Sequence, residues 1–279
     1  MKKTLDKKTL FLCVIVIISL LSSIFVNFKF GITTLLTLLF IYILATNLYM
    51  IKVYKGAKAY KSENYSKALD YYRSAIISPW CSVNIIIDYL VCELKYGKAS
   101  IANEYIEEIF TKRNFKPNDL LNLKITESIV LWKNNNRQES ISLLRNLLEK
   151  NKNTFLYETL TSILICNGNI QEAKSVLSTA LAFNKDSNIL KSNNGEIKFK
   201  EGNYDEASKI FYNLINEDIK FVEPFYYLGL IETKNNNFDK AKELLEKAEN
   251  LNQSLITLVK FEDIEQAYNR VIFKSLTKV

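Results

Sequence analysis

Most side chains that carry enzyme chemistry are missing from this 279-residue chain, and one cation recurs in their place. There is no histidine, which removes Ser-His-Asp and Cys-His nucleophile systems. The four cysteines, Cys13, Cys81, Cys92 and Cys166, are far apart and form no C-x-x-C pair, so their spacing does not fit a zinc site. A reducing cytoplasm keeps them as thiols. No G-x-x-x-x-G-K-[ST] phosphate loop and no G-x-G-x-x-G turn occurs. Acidic pairs such as Glu107–Glu108 and Asp205–Glu206 read as solvated faces or turns. What recurs is lysine: Lys61, Lys95, Lys133, Lys200 and Lys234 hold one position of a repeating pattern, and Cys166 holds it in the remaining copy. A ladder of amines suits an acidic peptide or a C-terminal carboxylate. The same lysines also suit helix C-termini, where a cation complements the macrodipole by about 0.3–1 kcal/mol. The chain is expected to bind rather than catalyse, with no cofactor, no metal and no small-molecule substrate.

Each of these positions lies seven residues before a small residue. Those anchors are Ala68, Ala102, Ser140, Ala173, Ala207 and Ala241, spaced 34, 38, 33, 34 and 34. Around Ala207, in "EGNYDEASKIFYNL", Tyr204 stands three before, Phe211 four after and Leu214 seven after. A small residue followed by bulky ones at four and seven is one stripe of an amphipathic helix. An earlier stripe in each unit, such as Phe225, Leu228 and Ile231, gives a second helix packed against it. Gly56, Gly195 and Gly229 sit twelve before an anchor, where the helices approach. Gly97, Gly168 and Gly202 sit five before one, at the turn, a place taken by Glu63, Asn135 and Asn236 in the other units. A period near 34 is the signature of stacked helix pairs.

This frame resembles the tetratricopeptide (TPR) repeat family over about residues 49 to 255, in six units. The departures are Ser140 for alanine, Arg137 where an aromatic is usual, and a family proline kept only as Pro79 and, displaced, Pro117. The 38-residue step implies a longer connection around residues 112 to 118. Residues 255 to 276 read as a final capping helix. The expected class is all-α: a TPR-like solenoid of about six helix pairs over 52–279, preceded by a transmembrane hairpin in 1–51.

That hairpin is read from two uncharged runs, 9–28 and 31–51, each about 20 residues and long enough to cross a ~30 Å hydrocarbon core. A cleaved signal peptide is the alternative for the first. Lys2, Lys3, Lys7 and Lys8 precede it, Lys52, Lys55, Lys58 and Lys61 follow the second, and Lys29 stands at the tip. That bias places both ends, and the repeats, on the cytoplasmic side of a multi-pass cell-membrane protein. The net charge of +7 is concentrated there; beyond residue 61 the chain carries 28 basic and 29 acidic residues. A nucleic-acid partner, which needs a basic face on the folded domain, is therefore not expected. The Asn-, Lys- and Ile-rich composition points to an A·T-rich, bacterial genome.

The resemblance implies a concave groove lined by the first helix of each pair. Its candidate residues are Ile129, Trp132 and Tyr226, with the lysines Lys95, Lys133, Lys200 and Lys234. Val53, Ala57, Tyr60, Ile87, Val91, Leu94 and Ile125 make its membrane-proximal half apolar. Glu158, Ser162, Ser192 and Glu196 make the distal half more polar. Alternatively the register is one residue off and part of this stripe is core. The expected function is a membrane-anchored adaptor for protein or peptide partners, itself bound to the bilayer. An extracytoplasmic assembly factor for envelope components and a membrane-sensing regulatory subunit of an enzyme complex are the other readings.

Overall fold

Among the described residues of this computed structural model, 7–251 and 253–276 with side chains from residue 10 onward, every regular element is an α-helix. Lys2 and Lys3 lie outside the described residues. Internal contacts divide the chain between Tyr89 and Leu90, and each unit is taken by itself.

The first unit contains α1 (Lys7–Phe25), α2 (Phe28–Lys61), α3 (Tyr65–Ile76) and the start of α4 (Val83–Tyr96). Asn27 turns the chain between α1 and α2 and caps α2, its Oδ1 accepting the Phe30 N–H at 2.8 Å. The two helices then run back to back. Ser19 Oγ donates to the Gly31 carbonyl at 2.8 Å, and a Cβ on Gly31 would lie 1.7 Å from Ser23 Oγ. Phe11 stacks on Tyr42 at 5.7 Å. One described helix, α2, is long and apolar enough to cross a membrane, where two were expected; the apolar stretch Leu10–Phe25 is shorter.

The expected boundary at residue 51 falls inside an unbroken helix. With 34 residues, α2 is about 50 Å long, and its last turns form the first repeat with α3. Lys52 Nζ donates to the Ser74 carbonyl at 3.0 Å. Gly56 lies under Tyr72, whose Cε1 would be 2.8 Å from an added Cβ. Trp80 rests edge-on against Tyr42 at 6.2 Å.

The second unit holds the rest of α4 and then α5 (Ala99–Lys112), α6 (Pro117–Lys133), α7 (Arg137–Lys150), α8 (Thr154–Cys166), α9 (Ile170–Phe183), α10 (Asn188–Lys200), α11 (Tyr204–Ile215), α12 (Glu223–Lys234), α13 (Phe238–Glu249) and α14 (Phe261–Leu276). The expected 38-residue step is absorbed mainly by helix. The linker before α6 is only residues 113–116, and α6 has 17 residues against 13 in α8 and α10. Pro117 begins it at a position where its missing N–H costs nothing.

The turns inside the pairs follow one physical recipe. Glu63, Asn135, Gly168, Gly202 and Asn236 all have φ between 57° and 83°. The following residue is asparagine each time. Asn64, Asn136, Asn169, Asn203 and Asn237 send their N–H back to the carbonyl five residues earlier, at 2.9–3.0 Å. That bond closes the first helix in a Schellman motif while the asparagine starts the second. Gly97 departs from the recipe: it does not adopt positive φ, and the Glu93 carboxyl accepts the Lys98 N–H at 3.1 Å instead.

The anchors are fully buried, Ala102, Ala173, Ala207 and Ala241 without measurable exposure. Before Ala207 and Ala241 the counterparts twelve residues earlier, Gly195 and Gly229, lack bulk for the same reason, whereas Leu90 and Thr161 hold that position before Ala102 and Ala173. A Cβ on Gly195 would approach Phe211 Cε1 to 2.5 Å, and one on Gly229 would approach Leu245 Cγ to 2.7 Å. In the third pair both positions are serine, and the extra hydroxyl is satisfied: Ser140 Oγ donates to the Ser128 carbonyl at 2.7 Å. The last expected element begins late. α14 starts at Phe261, where Asp263 Oδ2 accepts the Lys260 N–H at 3.0 Å, and residues 251 and 253–260 are not helical.

Gly202→Ala should destabilise the chain by about 1–2 kcal/mol through left-handed strain, whereas Gly202→Asn, the residue used at two equivalent turns, should cost less. Gly195→Ala should cost about 1–3 kcal/mol by overpacking Phe211. Thermal denaturation followed by circular dichroism on the full chain in detergent orders the three; equal effects of alanine and asparagine at 202 would contradict the turn account.

Candidate functional site

In the second unit the first helices of the pairs touch one another: α6 with α8, α8 with α10, α10 with α12. The second helices approach less closely: α7 and α9 meet through the Arg145–Glu172 ion pair at 2.6 Å, and neither their backbones nor those of α9 and α11 come together as the first helices do. The first helices therefore form the inner wall and the second helices the outer layer.

The lysines stand where the pattern put them, at the ends of these helices. Lys133, Lys200 and Lys234 are the final residues of α6, α10 and α12, Cys166 ends α8, and Lys95 lies in the last turn of α4. All four lysines are exposed, and all complement the helix dipole. Two are already engaged. Lys200 pairs with Glu196 at 3.7 Å, and Lys234 Nζ sits 3.5 Å from the centre of the Tyr204 ring. Lys133 is surrounded by enough protein to push its ammonium below the usual lysine range, although water still reaches it; both hold for a side chain in a concavity.

The apolar candidates divide. Ile129 is 5% exposed and Ile125 is fully buried. In α6 the stripe expected to face a partner is thus turned into the core, because two isoleucines gain more from burial than from solvent. Trp132 is half-buried, packed on the cluster built by α6 to α10, with the Arg137 guanidinium 5.1 Å over its ring. Tyr226 is half-buried and meets Tyr227 edge-on at 5.3 Å.

The inner wall has a polar centre that the lysine pattern did not indicate. Glu196 of α10 and Glu223 of α12 are each 7% exposed. The Tyr227 hydroxyl lies near Glu196 and favours its charged form. Ser254 Oγ donates to Glu223 at 3.5 Å, and the Thr257 hydroxyl, which accepts the Val259 N–H at 3.1 Å, lies near the same carboxyl. Burial pushes both carboxyls above the usual range. Tyr227 and Lys200 oppose this at Glu196, where the charge of Glu223 adds to it, and the two hydroxyls oppose it at Glu223. Cys166 feels the same two carboxylates; burial first, then their charge, push its thiol up to about 12. Beside this centre Asn193 Nδ2 bonds Thr161 Oγ1 at 2.8 Å and Ser162 Oγ at 3.0 Å. Ser187 Oγ donates to Glu158 at 2.6 Å.

Ser254 and Thr257 come from residues 251–260, the stretch expected to be helix. Leu251 and Val259 pack on the cluster of the last repeats, whereas Ile256 packs on the earlier cluster of α6 to α10. The stretch therefore runs back along the inner wall. Burial of that wall follows its course. Ser192, Asn193 and Glu196 of α10 are buried, while Glu158 and Ser162 one repeat before, and Tyr226 and Leu230 one repeat after, are half-buried. No group of three or more metal-ligating side chains occurs among the described residues.

With this geometry established, comparison with known proteins shows what is shared. Solved structures align over most of the chain. PilW, a widely conserved type IV pilus biogenesis factor, matches with a TM-score of 0.54 at 12% identity, over 72% of this chain and 92% of PilW. A tetratricopeptide repeat protein from Parabacteroides merdae matches at 0.49 and 13%, over 80% and 98%. YrrB, a TPR protein with an unusual peptide-binding site, matches at 0.42 and 17%, over 73% and 97%. The repeats have the tetratricopeptide fold. No protein-family model and no curated protein matches the sequence, so the likeness is one of architecture: helix pairs, period and turns.

Two measurements test the inner wall. Because the folded pKa of Glu196 is raised, its protonated form favours the fold below the ordinary carboxyl pKa, and that stability is lost as pH rises through the folded value. Glu196→Gln should therefore melt with wild type at pH 4 and above it at pH 7.5. A variant melting below wild type at pH 7.5 would reverse the assignment. Cys166 should react with iodoacetamide at pH 7.5 about 100-fold more slowly than a free thiol, since little of it is thiolate; peptide mapping after timed alkylation measures this.

Proposed function

We propose that this chain is a membrane-anchored scaffold that holds a protein or peptide partner against the inner wall of its repeats, with the N-terminus and the repeats in the cytoplasm. One observation carries the reading: a single helix, α2, supplies both a long apolar surface and the first layer of the repeats. Leu36, Phe40, Ile41, Ile43, Leu44 and Leu48 are each at least 50% exposed along it. An apolar face of that extent is not stable in water and marks contact with a membrane or a partner. The lysine distribution, Lys29 at the hairpin tip against Lys52, Lys55, Lys58 and Lys61 beyond α2's apolar part, favours a bilayer with the repeats inside. A tether of this kind raises the effective concentration of a bound partner without new contacts. PilW, which shares the fold, is a type IV pilus biogenesis factor, and a biogenesis role of that kind is the setting we favour. Chemistry on a substrate is not part of the proposal.

The full chain should stay with membranes through an alkaline carbonate wash, and Leu36→Lys together with Ile43→Lys should release it. Purified in detergent from its native membrane, it should bring a reproducible partner that is lost in a Ser162→Arg, Leu230→Arg variant of unchanged helicity. Ser178→Cys, at an exposed site on α9, should be labelled by an impermeant maleimide only after cells are opened. Release of wild type by carbonate would remove the anchor, labelling of intact cells the orientation, and partner recovery indifferent to the double arginine variant the inner wall.

A further inference from the structure

Residues 251–260 differ from every other connection in the second unit. The turns between paired helices are two or three residues, and those between pairs stay under eight, whereas eleven residues separate α13 from α14. Connections of that length inside a compact array are uncommon and usually have a role of their own. This one does not loop into solvent. It meets Glu223 at the start of α12 and brings Ile256 to a cluster belonging to repeats earlier in the chain.

Its contacts are those of an extended peptide on a receptor. Main-chain regularity is absent, and the side chains carry the interaction. Of two hydroxyls three residues apart, Ser254 donates to the Glu223 carboxylate at 3.5 Å and Thr257 lies near the same group, its oxygen accepting the Val259 N–H. A branched aliphatic between them, Ile256, fills an apolar site. The seat is nevertheless incomplete. Glu196 Oε1 and Gln253 Nε2 are buried and make no hydrogen bond, and Lys200 stands 3.7 Å from that oxygen, too far for one. Each unsatisfied buried polar group costs about 1–3 kcal/mol. The stretch is thus held by a few good contacts against a standing penalty, as expected of an occupant that can leave.

Resting on the scaffold reading above, we infer that residues 251–260 are a displaceable internal occupant of the partner groove. The partner they stand in for is an extended, uncharged peptide segment that presents hydroxyls at i and i+3 to Glu223 and a branched aliphatic between them to the α6–α10 cluster. In the unliganded chain the segment competes as an intramolecular ligand, whose effective concentration over so short a span is in the millimolar range. A partner must therefore bind better than the segment, or arrive in a multivalent form, before the inner wall opens.

The probe is a fluorescein-labelled peptide of sequence LNQSLITLVK, titrated with the full-length chain in detergent and followed by anisotropy. Wild type should bind it at least about tenfold more weakly than a chain carrying Ile256→Ser and Thr257→Val, because the internal copy no longer holds its seat in that variant. A peptide with valine in place of the threonine equivalent to Thr257 should lose about tenfold on the loosened chain, a readout that leaves the protein untouched. Adding Glu223→Ala to the loosened chain should remove the difference between the two peptides. Equal binding of the parent peptide by wild-type and loosened chains, including none by either, overturns the proposal, as does indifference to the threonine. Those results leave the scaffold reading standing if the double arginine variant still loses its partner. Loss of that reading instead shows as partner recovery indifferent to the arginines, whatever the peptide does.

Discussion

Everything in the repeats depends on how closely two helices can approach within a pair. The inter-helix gap is set at the crossing by an alanine or serine on one helix and, in four of the six pairs, by a glycine or serine twelve residues earlier on the other; Leu90 and Thr161 hold that place in the remaining two. At Gly195 and Gly229 there is no room for one methyl group. Close approach lets Phe211 and Leu245 lie across the partner backbone without exposure. It also keeps the turn short, and in five of the six pairs a left-handed residue closes it. The bulky stripe, the small anchor and the positive-φ residue are thus one constraint seen at three positions. Stacking then follows, because each pair leaves an apolar flank that only another pair covers.

That constraint explains why so much of the fold was legible from the sequence. Small residues at fixed spacing are visible without knowing any contact, and a turn residue five before each anchor is visible for the same reason. The position of the lysines followed from the helix ends they close. The asparagine after each turn residue was equally visible and went unread; it appears in five of the six units. Boundaries were less legible. The 38-residue step was expected to lengthen a loop and instead lengthened α6, since residues 117–122 combine an N1 proline with leucines at helical spacing. The start of α14 was placed early because "LITLVK" is apolar enough to pass for helix. Its acidic first turn, Glu262 and Asp263, marked the true start.

The candidate site was read only in part. Local propensity sees lysines at helix ends, but it cannot see that Lys200 folds onto Glu196 or that Lys234 covers Tyr204. Ile129 and Trp132 belong to one stripe by spacing, yet one is interior and the other half-covered, because a helix face divides between core and wall at a place set by its neighbours. Glu196 and Glu223 looked like ordinary solvated acids. Glu223 gains its significance from Ser254, a contact 31 residues apart in sequence that no periodicity encodes, and Glu196 from its burial within the wall. The usable signal was a run of ten non-repeat residues where the pattern called for the next first helix.

The unbroken course of α2 has a mechanical meaning. No glycine–serine linker separates the apolar stretch from the first repeat; the only glycine there, Gly56, is clamped under Tyr72. Once α2 is set in a bilayer, the first repeat has a fixed standoff and heading. The ten residues from 52 to 61 raise it about 15 Å, and its swing is confined to the narrow cone of a tilting rod, typically near 20°. A flexible leash would let a captive search a hemisphere. A stiff mast presents it at one height and one bearing, so a change in bilayer thickness that tips the helix would re-aim whatever the first repeat carries.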